Sequence, residues 1–206
     1  MITDVLEIRR GLPDAAARYA AAKLYWAGFS RKMEPVLGGR QPVELVAKAL
    51  VPEKVIGAWD GDRLLGVAFV MDGPQPVLHM SAVDFVHEFG AVAGWWRRLL
   101  ATFAASSPPA DGALMLDTLA VSPAARGMGV GTALLNAVVA EARSRGLREV
   151  HLEVVDTNPR ARALYERFGF VPAGTVRTPY LRRLMGYGAV TAMRFDVSWP
   201  TPAERE

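Results

Sequence analysis

The sequence predicts an α/β (α+β) domain built on a mixed, mostly antiparallel central sheet with flanking helices. Three observations predict it. In the first half, the pair Asp60-Gly61 sits between apolar runs and marks a tight hairpin. After Gly112 the pattern alternates strand, helix, strand, helix, the order that sets parallel strands side by side in a sheet. The chain of 206 residues is 51% hydrophobic and has no cysteine, so it can bury a core of its own without disulfides. These features suit a single domain over residues 1–206, with a helical and loop elaboration at about residues 83–112.

The elements follow in order. A first strand is expected at residues 5–8. Pro13 and Asp14 then punctuate the start of an alanine-rich helix running to about Phe29, in which Ala17, Ala20, Ala21, Leu24, Tyr25 and Phe29 recur at spacings of three and four. A second short helix is expected at residues 32–37, stopped by Gly38 and Gly39, and a brief helical pattern follows at 42–50. The Asp60-Gly61 turn joins two strands, and a second Asp-Gly pair, Asp72 and Gly73, followed by VLHM, suggests a third antiparallel one. Residues 83–105 carry Phe85, Trp95, Trp96, Leu99, Leu100 and Phe103 in a helical pattern interrupted by Gly90 and Gly94. The segment SSPPADG at 106–112 reads as a loop. Beyond it ALMLDTLAV is a strand, VGTALLNAVVAEARSRG a helix, REVHLEVV a strand and NPRARALYERFG a helix. Residues 171–197, with turns at Gly174 and at Gly186 to Gly188, supply two more strands, and SWPTPAERE is expected to be a loose tail.

Charge excludes some functions. With 24 Lys and Arg against 21 Asp and Glu the net charge is +3, too little to argue for nucleic acid. No run of about eighteen apolar residues could span a membrane, and the first residues resemble no signal peptide, so a cytoplasmic location is expected. The three histidines, His79, His87 and His151, lack metal-ligand spacing, and no metal is expected.

The sharpest local pattern runs from Val121 through Ser122, Pro123, Ala124 and Ala125 to Arg126-Gly127-Met128-Gly129-Val130-Gly131-Thr132, between a strand and an amphipathic helix. Closely spaced glycines let successive amides face an anion, the helix dipole favours a pyrophosphate there, and Arg126 adds charge. No Lys follows the glycines as a Walker motif requires, and their spacing is not that of the dinucleotide fingerprint. Read alone, the turn suits phosphate binding and a purely structural role equally.

Arg126, Gly129 and Gly131 meet the pattern R-x-x-G-x-G, and Asn158, Ala161, Leu164-Tyr165 and Gly169-Phe170 follow in order after a helix and a strand. On these residues the sequence resembles the GNAT family of N-acetyltransferases. The resemblance is strong over about residues 116–171, looser for the hairpins at 55–80, and one of outline for the helices before them. It implies the acyl-CoA N-acyltransferase fold and acetyl-CoA as donor substrate. The pyrophosphate would sit on the amides of Arg126, Gly127, Met128, Gly129, Val130, Gly131 and Thr132. Pantetheine would pair with backbone near Leu119, Ala120 and Val121, and the Val121 amide would polarise the thioester carbonyl, where negative charge develops during attack. Asn158 matches a family cofactor contact, and its position suits a helix N-cap as well. Tyr165 matches the family's acid, which protonates the departing thiolate; its plainer role is a helical aromatic packed between Leu164 and Phe168.

Transfer to an amine also needs a base, since an ammonium must lose a proton before it attacks. The candidates are Glu153 and Asp117, with His151 on the same strand face as Glu153 and able to relay a proton; a water chain or no dedicated base remains the alternative. The expected acceptor is a small-molecule amine or a protein or peptide amine, and a homodimer is left open. Acceptor choice is expected in the first helices, residues 83–112 and the final hairpin. Candidate lining residues there are Tyr25, Trp26, Phe29, Trp95, Trp96, Tyr180 and Tyr187, with Arg97, Arg98, Arg177, Arg182 and Arg183 as candidate cations. Without cysteine, the acetyl group would pass directly from donor to acceptor. The competing reading is a non-catalytic acyl-CoA-binding or regulatory module.

Overall fold

The computed structural model describes residues 6–39, 41–104, 108–179, 182 and 186–205. Among these, β1 (Glu7–Arg10) pairs antiparallel with β2 (Val55–Asp60), β2 with β3 (Arg63–Met71), and β3 with β4 (Ala113–Val121). β4 runs parallel to β5 (Glu149–Val155) because the helix α5 (Val130–Ser144) carries the chain back between them. β5 pairs antiparallel with β7 (Ala189–Asp196), which holds the edge strand β6 (Val171–Arg177). The sheet order is therefore β1-β2-β3-β4-β5-β7-β6.

Helices cover both faces. On one lie α1 (Ala15–Leu37) and α2 (Pro42–Ala49), whose Ala21, Tyr25 and Val46 pack on Val67, Phe69 and Met115. On the other, α5 and α6 (Pro159–Phe168) bring Leu134, Leu135, Val138 and Phe168 against Ile56, Ala68, Leu114 and Leu152. Two-residue alternation along the strands sorts their side chains between these cores. β3, central and covered twice, is buried from Leu64 to Met71. No helix is long and apolar enough to cross a membrane among the described residues.

Several local expectations are corrected. The first strand begins at Glu7, two residues beyond the expected start, and Val5 lies outside the described residues. The two expected N-terminal helices are one: Met33, Val36 and Leu37 continue the buried stripe of Tyr25 through the expected break, and Pro35 is accommodated in the last turn. Asp14 caps this helix, its Oδ1 accepting from the Ala17 amide at 2.8 Å. No strand forms after Gly73. Pro74 and Pro76 lack ladder donors, and an isolated bridge between Leu50 and Leu78 is what remains. The expected helical segment forms two helices over its described residues, α3 (Ala82–Phe89) and α4 (Ala91–Ala104), broken at Gly90 but not at Gly94. Gly174 lies inside β6, at a register shift, and not at a turn.

The tail is also held. Arg143 on α5 donates to the Val197 carbonyl at 2.7 Å, the Trp199 carbonyl at 2.8 Å and Glu204 Oε1 at 2.6 Å, and Thr201 is buried.

Candidate active site

β4 and β5 do not stay together. Their ladder runs from Ala113 opposite Glu149 to Leu116 opposite Leu152 and then ends, while β4 continues to Val121 on β3 and β5 to Val155 on β7. A bulge marks the parting: Phe69 faces Thr118 and Val70 faces Leu116, leaving Asp117 as the extra residue. Between the parted strands opens a cleft of about 1380 Å³. The backbone groups of β4 that do not bond to β3 face this gap, and there they lack the sheet partner that their polarity demands.

Leu119, Ala120 and Val121 line the cleft, and so do Arg126, Gly127, Gly129, Val130, Gly131 and Thr132 of the following turn. Gly127 and Gly129 hold φ of +78° and +79°, a left-handed conformation that a side chain would strain, and space lies open where their Cβ atoms would be. Gly129 is the N-cap of α5 and offers no side chain to its first amides. Those amides are left for an external anion. Met128 does not line the cleft and is 40% exposed, so of the turn residues its side chain alone faces away.

The opposite wall is α6. Asn158 caps it, its Oδ1 accepting from the Ala161 amide at 3.2 Å, and also lines the cleft, so the cap and the cleft wall are one residue. Tyr165, 7% exposed, reaches the cleft from within the core formed by α5 and α6, beside Phe170. Burial pushes its phenol above the ordinary range, so it keeps its proton. Arg126, Arg160 and Arg167 also line this side and form no ion pair among the described residues. Three cations, open amides and a parted strand edge fit a ligand with an extended amide chain and several phosphates, as acetyl-CoA is.

The acids enter from the other face. Asp117 lines the cleft, accepts from the Thr118 hydroxyl at 3.0 Å, and lies near Tyr25, whose phenol is raised by burial first and by this carboxylate second. Glu153 lines it from β5, near Tyr187, whose phenol is raised by burial and then by the Glu153 carboxylate. The cleft thus passes through the sheet, with a protonated tyrosine on one side and two carboxylates on the other.

Of the expected acceptor residues, Phe29 and Tyr187 line the cleft. Tyr25 sits behind, stacked on Phe29 at 5.3 Å and on Phe69 at 5.6 Å. Trp26 packs on the same core. Trp95 and Trp96 are exposed away from the cleft, and Arg97 is used locally, donating to the Val36 carbonyl and lying over the Phe89 ring. Tyr180 and Arg183 lie outside the described residues. Sequence reasoning missed Gly28, inside the expected helix, and Arg31 and Lys32, which line the cleft because α1 continues past Phe29; for the latter two the unbroken stripe through Met33 was the available signal. It also missed Arg160 and Arg167, spaced seven apart on the cleft face of α6.

The model of the acetyltransferase (GNAT) family matches residues 19–170. Mycothiol acetyltransferase of Beutenbergia cavernae is 48% identical over 54 residues, 26% of this chain and 18% of that protein. Mycothiol acetyltransferase of Geodermatophilus obscurus is 34% identical over 113 residues, 55% of this chain and 27% of that protein. The matches therefore span less than a third of either relative. Among solved structures, the ribosomal-protein-S18-alanine N-acetyltransferase from Escherichia coli superposes with a TM-score of 0.57 at 18% identity, covering 95% of this chain and 96% of that one. An N-acetyltransferase from Staphylococcus aureus Mu50 gives 0.63 at 15% identity, over 92% and 100% of the two chains. At these identities the likeness is one of fold.

Proposed function

The chain belongs to the acetyltransferase (GNAT) family, and from that premise we propose that it transfers an acetyl group from acetyl-CoA directly to an amine. One observation carries the reading: a cleft through the parting of β4 and β5 that presents Tyr165 from one face and Asp117 with Glu153 from the other. A donor and an acceptor can then meet from opposite sides of the sheet without a covalent enzyme intermediate, and the chain has no cysteine to form a thioester.

Acetyl-CoA, when bound, supplies an activated thioester carbonyl. The amides of Gly127 and of Gly129 to Thr132 hold its pyrophosphate, while that of Met128 is turned to the Ala125 carbonyl, with Arg126, Arg160 and Arg167 offsetting the phosphate charge. The backbone of Leu119 to Val121 pairs with the pantetheine, and the Val121 amide donates to the carbonyl oxygen as negative charge builds there. Glu153 takes the proton from the acceptor ammonium, and Asp117 beside it draws that cation into the cleft beforehand. Tyr165, held protonated by burial, gives its proton to the departing thiolate. We read the whole chain as one such domain, with α3 and α4 as its elaboration.

The test is CoA release from acetyl-CoA with a panel of glucosamine, spermidine, 2-phenylethylamine, L-lysine and tetra-alanine. Amine-dependent release, abolished by acetylating the amine beforehand, is expected. Tight acetyl-CoA binding without release for every amine would instead mark a binding module.

A further inference from the structure

A second cavity, of about 580 Å³, adjoins the first and shares Glu153 with it. Glu149, His151 and Glu153 alternate along β5, so they project on one side of the sheet, and all three line this cavity. His151 Nε2 lies 2.7 Å from Glu149 Oε2. Arg194, opposite His151 in the β5–β7 ladder, donates to Glu149 Oε1 at 3.0 Å. Both carboxylate oxygens of Glu149 are therefore engaged. Met115, opposite His151 on β4, and Pro108 and Ala110 before that strand complete the wall with apolar groups.

This arrangement fixes the imidazole. The His151 hydrogen bond, and after it Arg194, hold the Glu149 carboxyl below the usual carboxylate range, so it stays ionised near neutral pH. An ionised carboxylate only accepts, so in the neutral imidazole Nε2 carries the proton and Nδ1 the lone pair. A carboxylate that orients a histidine in this way also stabilises the imidazolium formed when that nitrogen takes a proton.

A base has to be cleared of its proton after each turnover, and Glu153 lines the second cavity as well as the first. We infer that His151, oriented by Glu149 and Arg194, takes the acceptor's proton onward from Glu153 and releases it into the second cavity. The inference rests on Glu153 as the base. The ammonium N–H bond breaks and its proton joins the Glu153 carboxylate, leaving the electron pair on nitrogen. The proton then passes, directly or through one water, to His151 Nδ1, and the imidazolium gives it up to water. His151 acts through Glu153 and does not touch the reacting atoms, so it is a positioning residue.

The experiment uses the full chain, saturating acetyl-CoA and the fastest amine of the panel above. His151→Ala and His151→Gln are both expected to lower kcat about tenfold while leaving acetyl-CoA affinity unchanged. Added imidazole should restore most of the His151→Ala rate in proportion to its neutral form, and should do nothing for Glu153→Gln. A purely structural role for His151 would not respond to imidazole. Native rates in both His151 variants beside a slow Glu153→Gln would overturn the relay and leave Glu153 as the base. A slow His151→Ala that imidazole cannot rescue would also overturn it. Native rates in Glu153→Gln would remove the base itself, and the relay with it.

Discussion

Leu116 and Leu152 are the last pair of the parallel ladder, and one residue past them the two strands have separated. Everything proposed to react lies within a few residues of that pair: Asp117 and Glu153 directly follow it, and Tyr165 enters the same opening from α6. If Tyr165 protonates the departing thiolate, Tyr165→Phe should lower kcat by about 100-fold. The phenyl ring keeps its packing on Phe170, so acetyl-CoA affinity and folding should be preserved. CoA release and calorimetric titration measure the two separately. An unchanged kcat would show that the hydroxyl is only a buried aromatic's polar end.

The turn before α5 gives a prediction for binding rather than chemistry. Gly129 has φ of +79° with open space around its missing Cβ. The Cβ of a Gly129→Val side chain would meet no neighbour, but a β-branched residue disfavours that conformation, and the amides it helps to aim would turn away. Acetyl-CoA affinity should fall about tenfold or more, equivalent to about 1.4 kcal/mol. Native affinity measured by titration would contradict the placing of the pyrophosphate on this turn.

The second half of the fold was legible in the sequence because each βα unit there carries its own punctuation. Gly129 before α5 and Asn158 before α6 mark helix starts that stand within one residue of the expected positions. The N-terminal half was less legible because its signals conflict. The expected break between Phe29 and Lys32 conflicts with Met33 and Val36, which extend the buried stripe of Tyr25, and burial against Phe69 and Val67 decides for one helix. That continuation brings Arg31 and Lys32 to the cleft, so misplacing a helix end also hid part of the site. The pairing of Arg194 with Glu149 was hidden for another reason. The partner of β5 in that region is β7, more than thirty residues later, and no local pattern announces the ladder.

Gly94 illustrates the same limit and can be tested. It reads as a helix breaker, yet α4 runs through it because α4 crosses α3 there. A Cβ on Gly94 would lie 2.5 Å from the Phe85 carbonyl oxygen and 2.9 Å from Val86 Cα. Backbone cannot yield as a flexible side chain does, so Gly94→Ala should destabilise the protein by about 1–3 kcal/mol despite the better helix propensity of alanine. Thermal melting should fall by several degrees, with kcat at a permissive temperature unchanged, since neither α3 nor α4 lines the main cleft. A variant as stable as the native protein would mean that the two helices separate at no cost.

The C-terminal clasp makes stability depend on pH. Hydrogen bonding from Arg143, and then from the Thr201 amide, brings the Glu204 carboxyl from its ordinary 4.5 down to about 2. A carboxyl depressed in the folded state stabilises it above the unfolded pKa and loses that contribution as the pH falls through the folded value. The clasp should therefore be complete at pH values above about 4.5 and lost progressively down to about 2. Glu204→Gln should melt below the native protein near neutral pH, with the gap narrowing across that window as the native carboxylate is protonated. High salt should also narrow the gap, because the pair is exposed to solvent. A melting difference that stays constant from neutral pH to the bottom of the window would show that the charge on Glu204 does not hold the tail, and would leave the two carbonyl bonds of Arg143 as its fastening.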